Sequence, residues 1–161
     1  MLEVQRMTNF QREGSISNAH VGRDFETRAR AILAAHGIPL HVNHKVPCGL
    51  GNEKKMHTFD LGSDQPPVIV ECKSMTWTKG NNIPVAKVHN FAVAMYYFHM
   101  APPMYRKIFF VEQSLRVRTG ESLLTYFRRT QSHMIPPEVE FWELPRESDE
   151  VEIFGSIADG R

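Results

Sequence analysis

Asp60, Glu71 and Lys73 are the residues of this sequence whose types and spacing could do chemistry. They fall within the stretch HTFDLGSDQPPVIVECKS, His57 to Ser74. Two strand-like runs, Lys55 to Leu61 and Val68 to Met75, flank the turn residues Gly-Ser-Asp-Gln-Pro-Pro, a pattern that predicts a β-hairpin or tight β-corner. Such a turn returns Asp60 to the side of Glu71. In an extended strand side chains alternate, so Glu71 and Lys73 share one face while Val70 and Cys72 share the other. Val68, Ile69 and Val70 mark a strand deep in a sheet, where ionisable groups are costly unless paired or bound to a metal. Two neighbouring carboxylates repel each other, and a hard divalent cation with oxygen ligands relieves that repulsion. The alternative is an exposed strand end, with Asp60 closing a turn. Glu-x-Lys alone is a common string. The strand context, the hairpin spacing and a helix upstream give it weight here.

Asp60, Glu71, Cys72 and Lys73 together resemble the D-x(n)-E-x-K signature of the PD-(D/E)XK nuclease superfamily, the restriction-endonuclease-like fold. The position before Asp60 is Phe59 where that signature has Pro. The resemblance runs from about Gly22 to Val111. It implies that Asp60, Glu71 and the Cys72 backbone carbonyl hold Mg2+, with Mn2+ able to substitute, and that Lys73 orients or deprotonates the attacking water. Many members also carry a glutamate on the first helix near the metal, which gives Glu26 a catalytic and metal-binding role by resemblance.

The elements that must position these residues are legible in outline. From Asn18, the residues Val21, Phe25, Ala29, Ile32, Leu33 and His36 follow helical spacing, and Gly37 with Pro39 provides the stop. Glu26 borders this stripe, sharing a face with Gly22, Ala29 and Leu33; a solvated glutamate pairing with Arg23 or Arg30 is the other reading. Pro39 to Val46 reads as a first strand with Leu40, Val42 and His44 on one face. Pro47 to Asn52 is a turn-rich loop, and Glu53, Lys54 and Lys55 lead into the Asp60 strand. A helix opens at Ile83-Pro84, with Val88, Phe91, Met95 and Phe98 as its stripe, widened by Val85, Ala92 and Tyr96 into a deeply packed element. Arg106 to Val111 reads as a buried central strand. A third helix is expected from about Glu121 to His133, with Leu123, Leu124, Phe127 and Met134 inward and Arg128 and Arg129 outward. Val139 to Leu144 closes the sheet as an edge strand, and in the acidic tail Val151, Ile153 and Phe154 can dock.

Length and composition allow one domain: 161 residues, 42% hydrophobic, bury one core but not two. The expected organisation is a flexible arm at 1–17, a nuclease-like domain at 18–144 and an acidic tail at 145–161. In the arm, Arg6 and Arg12 are candidate phosphate contacts. The absence of an 18-residue apolar run and of an N-terminal signal region leads to an expectation of a cytoplasmic protein without membrane association. Cys48 and Cys72 do not form a zinc pattern or a disulfide framework.

The formal net charge of +1 conceals an asymmetry, with 17 basic and 10 acidic residues up to residue 137 and eight acidic against two basic from Glu138 onward. A basic body of +7 suits a polyanion. Lys54, Lys55, Lys79 and Lys87 are the expected nucleic-acid contacts, being close in sequence to the elements that frame the site. Trp77, at the end of the active strand, is expected to pack in the core or rim.

The predicted fold is α/β: a mixed sheet flanked by helices, in the order αβββαβ followed by a further helix and an edge strand. The superfamily core has the same αβββαβ order. The expected function is Mg2+-dependent hydrolysis of DNA phosphodiesters by an endonuclease, which the resemblance specifies as giving 5′-phosphate and 3′-hydroxyl ends. The alternatives are a non-catalytic nucleic-acid-binding module and a nuclease subunit that needs a partner. A homodimer is compatible with all three.

Overall fold

The computed structural model describes residues 10–155 except residue 81, with side chains from residue 22 onward. The first helix, α1 (Phe10–Ala35), starts eight residues before the expected position, so residues 10–17 are helical. Residues 1–9 and 156–161 lie outside the description, as do Arg6 and the side chains of Arg12 and Val21. The helix ends where expected. Gly37 adopts φ 80°, and the Ile38 N–H donates to Leu33 O at 2.9 Å, closing the last turn through the left-handed conformation that glycine tolerates best.

Among the described residues the sheet has six strands in sequence order: β1 (His41–Cys48), β2 (Lys55–Asp64), β3 (Pro67–Lys73), β4 (Arg106–Glu112), β5 (Val139–Leu144) and β6 (Glu152–Phe154). β1, β2 and β3 form an antiparallel meander. β4 lies parallel to both β3 and β5, and each parallel pair is joined through a helix, α2 (Val85–Met100) and α3 (Leu123–Thr130) respectively. A parallel neighbour requires such a crossover, because a short turn can only reverse the chain. The mixed α/β fold and the central position of Arg106–Val111 agree with the expectation.

Two apolar clusters hold the layers together. Phe25, Ala29, Ile32 and Leu33 of α1 cover Leu61, Val68, Val70, Cys72, Ile108, Phe110 and Trp142 on one face of the sheet. α2 and α3 cover the other, where Phe91 meets Phe109 and Phe127 edge to face at ring separations of 5.1 and 5.4 Å. Each aromatic ring buried there contributes roughly 1.5–3 kcal/mol by removal from water.

Several expectations need correction. β5 is not the edge, because β6 pairs antiparallel with it through Phe141↔Phe154 to Glu143↔Glu152. Val42 points outward, and Val46 and Cys48 fill the core instead. α2 is less deeply packed than its stripe suggested, since Val85 and Tyr96 are exposed. The third helix ends at Thr130, and Met134 is exposed in the short 3₁₀ turn Ser132–Met134 that follows. Arg128 is not outward. It is half-buried, with its guanidinium over Phe141 and Phe154 at 5.0 and 4.7 Å. Arg129 alone of the pair is exposed, held by Glu121 at 3.0 Å.

Candidate active site at the end of β3

The β2–β3 hairpin does what the spacing requires. Its ladder runs from Asp64↔Pro67 to Leu61↔Val70, and the same register continued by one step sets Asp60 opposite Glu71. There the regular ladder stops, and the Cys72 N–H donates to Asp60 Oδ2 at 2.8 Å. The alternation of β2 also breaks at this point. Phe59 belongs to the α2 and α3 cluster and Leu61, two residues on, to the α1 cluster, so the faces exchange at Asp60. Asn43, which falls opposite Asp60 in the β1–β2 register, carries φ 54°. A non-glycine residue in the left-handed region marks a local departure from regular strand geometry. The twist at this one position aims Asp60 at the β3 backbone while the residues around it remain core.

Glu71 is the most constrained group. It is only 7% exposed, with Lys73 Nζ at 3.7 Å from Oε2 and His57 Nε2 at 3.1 Å from Oε1. Burial, followed by the neighbouring Asp60 carboxylate, pushes its pKa up to about 8, and Lys73 offsets only part of this. Glu26 on α1 is half-buried and feels the same field. Burial and then Asp60 raise its pKa, while Lys73 and Arg23 pull it down. Asp60 and Lys73 therefore act on both carboxyl groups, Glu71 and Glu26. Cys72 is buried on the α1 face, so its thiol is core, and burial followed by Asp60 holds that thiol well above its ordinary pKa.

His57 is a member of this cluster that sequence reasoning missed. Its ring stacks on Tyr97 at 3.6 Å and meets Phe59 edge-on at 4.7 Å, and burial lowers its pKa, which favours the neutral form beside Glu71. Regular alternation would set positions 57 and 59 on the face opposite Asp60, and only the exchange of faces at Asp60 brings His57 to the side that Glu71 faces.

The four expected nucleic-acid lysines do not form one face. Lys54 donates to Gly49 O at 2.6 Å, and the Gly49 N–H in turn donates to Met100 O at 3.1 Å, so the Lys54 loop lies against the last residue of α2. Lys55 is exposed at the first position of β2. Lys87 is in the first turn of α2 and donates to the Thr76 carbonyl, tying the chain after β3 to that helix. Thirteen helical steps separate Lys87 from Met100, about 20 Å at the rise of an α-helix. Lys79 is exposed beyond β3. Trp77 packs at the rim, as expected, with Tyr126 at its edge and Arg116 over its ring.

The chemistry of the donors suits a hard cation. The Asp60 and Glu71 carboxylates and the Cys72 carbonyl supply oxygen throughout, and a cation in place of the Glu71 proton would provide the compensating charge that burial and Asp60 call for. Among the described residues no three His, Cys, Asp or Glu side chains stand as a ready-made metal cage. Among the same residues no helix is long and apolar enough to cross a membrane.

No family model matches the chain, and no solved structure matches it. A segment of 57 residues, 32% of the chain, is 47% identical to a curated protein from Cyanothece sp. (strain PCC 7425 / ATCC 29141), the sugar fermentation stimulation protein homolog. The match spans 23% of that protein's length. The similarity is to a segment of a larger protein.

Proposed function

We propose that the chain is a divalent-metal-dependent nuclease of the PD-(D/E)XK type, with the restriction-endonuclease-like arrangement of its sheet and helices. It hydrolyses DNA phosphodiesters to 5′-phosphate and 3′-hydroxyl ends. The observation that carries this reading is the convergence of Asp60, Glu71 and Lys73 where β2 leaves its ladder, with Glu26 in the field of Asp60 and Lys73. Asp60, Glu71 and the Cys72 carbonyl would hold Mg2+ or Mn2+, with Glu26 completing the set. When bound, such an ion polarises the scissile phosphate and lowers the pKa of a coordinated water.

The side chains of the chain then divide the remaining work. Lys73, 3.7 Å from Glu71, would hydrogen-bond the attacking water and stabilise negative charge growing on the phosphate oxygens. Water oxygen bonds to phosphorus as the bond to the 3′ oxygen breaks, and that oxygen leaves as a hydroxyl. His57 and Tyr97 hold the Glu71 carboxylate in place from behind. The name of the partial relative states no reaction and adds nothing to this assignment.

A second reading is a nucleic-acid-binding module whose acidic cluster is structural. The observation in its favour is that the cluster already has internal partners: Asp60 accepts from Cys72, and Glu71 contacts His57 and Lys73. A panel of duplex, nicked, branched and single-stranded DNA and RNA, incubated with Mg2+, Mn2+ or chelator, separates the two. The nuclease reading expects metal-dependent cleavage that Asp60→Asn and Glu71→Gln each abolish. Retarded but uncut nucleic acid under every condition would sink it, unless a partner extract restores cutting.

A further inference from the structure

Beyond the carboxyl ends of β3 and β4 the chain builds a second feature. An open groove of about 710 Å³ lies between the segment after β3 and the loop after β4. Lys79, Arg116, Arg118 and Arg146 line it together with Thr76 and Thr78, and among the described residues no acidic side chain does. Its far wall is a closed turn: Leu115 bridges Ser122, the Arg116 N–H donates to Glu121 O at 2.9 Å, and the Gly120 N–H donates to Arg116 O at 2.8 Å. Its near wall is pinned to the far one, because the Trp77 N–H donates to Ser114 Oγ at 2.9 Å and the Trp77 Nε1–H to Glu121 O at 3.2 Å. The cations therefore sit on a preorganised frame.

We infer that this groove is the docking surface for the sugar-phosphate backbone of duplex DNA, and that it binds without reading sequence. Four cations on a concave surface, Lys79 six residues downstream of Lys73 on one wall and Arg116, Arg118 and the Glu112-paired Arg146 across from it, form a phosphate track leading away from the candidate site. In sheets with parallel strands, ligands gather outside the carboxyl ends of those strands, where this groove lies. Single-strand binders add aromatic platforms for unstacked bases. Here Trp77, the one aromatic ring in the groove among the described residues, is already covered by Arg116 at 5.0 Å, with Tyr126 at its edge, so phosphate contacts remain the main source of affinity. Such contacts position a duplex but do not specify its sequence. The inference relies on the proposed nuclease activity only for where the scissile phosphate would lie.

The test is fluorescence anisotropy of a labelled 20-base-pair duplex and of the matching single strand, with the full chain in chelator so that nothing is cut, over a salt series. Lys79→Ala with Arg118→Ala should weaken duplex binding about tenfold or more, and should lower the log-log salt slope by about two, one for each lost phosphate contact. The double variant should melt with the parent, and Lys79→Arg with Arg118→Lys should keep parental affinity because only charge is required. Lys54→Ala with Lys55→Ala should change affinity by less than about threefold, given their place at the other end of α2. Two duplexes of unrelated sequence should bind alike. Parental affinity in the Lys79/Arg118 variant, a parent that prefers the single strand, or a parent that binds no DNA overturns the inference. The nuclease reading fails separately: a parent that binds through the groove but never cuts defeats that reading alone, and a parent that cuts while the groove variant binds normally defeats only the docking surface.

Discussion

Glu71 is a carboxyl group held where its charge is opposed by burial and by Asp60, and this has a measurable consequence for stability. Its pKa of about 8 in the fold lies above its ordinary value of 4.5, so between the two the folded protein keeps a proton that the unfolded chain releases. Stability must therefore fall as pH rises through that interval, with a limiting slope of about 1.4 kcal/mol per pH unit for one proton. His57 does not confuse the upper half of this window, because its pKa is lowered and it is neutral in both states above the ordinary histidine range. In chelator, the melting temperature should decline from pH 6.5 to 8, and Glu71→Gln should flatten the decline. Mg2+ or Ca2+ should raise the melting temperature more at pH 8 than at pH 6.5, because the cation competes with the Glu71 proton. An equal rise at both pH values would locate the cation elsewhere. Lys73→Ala should lose on the order of a hundredfold or more in cleavage rate while keeping affinity for DNA, since it acts on water and developing charge. Parallel losses of rate and affinity would make it an ordinary phosphate contact. At this scale Asp60, Glu71 and Lys73 were legible because strand parity and a turn between two strands are local properties. His57 was not recognised, because its place depends on the exchange of faces at Asp60, which no local pattern encodes.

The β2 strand carries that exchange, and Gly62 is where it has least room. A Cβ at Gly62 would lie 2.7 Å from the Cβ, Cγ and Cδ2 of His44 on β1. The near atoms include the root of the His44 side chain, so the neighbour cannot simply swing away. Gly62→Ala should cost roughly 1–3 kcal/mol by forcing the two strands apart, read as a lower urea midpoint at unchanged m-value. Cleavage should fall further than the loss of folded protein explains, because Asp60 is two residues away on the strand being displaced. A neutral substitution would mean that the hairpin adjusts independently of the site. The order of elements was readable from periodicity and turn residues, and the ends of the chain were less so. The early turns of α1 lack an apolar period, so the helix looked like an arm. β6 is three residues long with Glu152 at its start, and its pairing is set by the exposed edge of β5 rather than by its own composition. Arg128 looked solvent-facing by charge alone, and only the approach of Phe141 and Phe154 explains its burial.

Over the whole molecule the charges are sorted. The basic groove ends at Arg146, which also pairs with Glu112 at 2.8 Å, and the acidic stretch Glu147, Asp149, Glu150 and Glu152 begins at the next residue. The tail is not remote from the groove, since β6 docks it along β5. Its carboxylates therefore oppose the approach of a polyanion to the cations beside them, a long-range effect that depends on ionic strength. These four acids can be neutralised without touching the framework. Glu140 is left to its pair with Arg106 and Glu143 to its buried place beside Gln113, while the exposed Arg28–Asp149 contact at 3.7 Å is of a kind that contributes little. Glu147→Gln, Asp149→Asn, Glu150→Gln and Glu152→Gln together take the formal net charge from +1 to +5. The variant should bind duplex DNA several-fold more tightly at low salt with an unchanged melting temperature. That gain should shrink as salt shortens the screening length from about 10 Å at 0.1 M toward about 3 Å at 1 M. A gain that held constant across the salt series would point to a direct steric cover of the groove by the tail, and no gain at any salt would show that the two regions do not share a field.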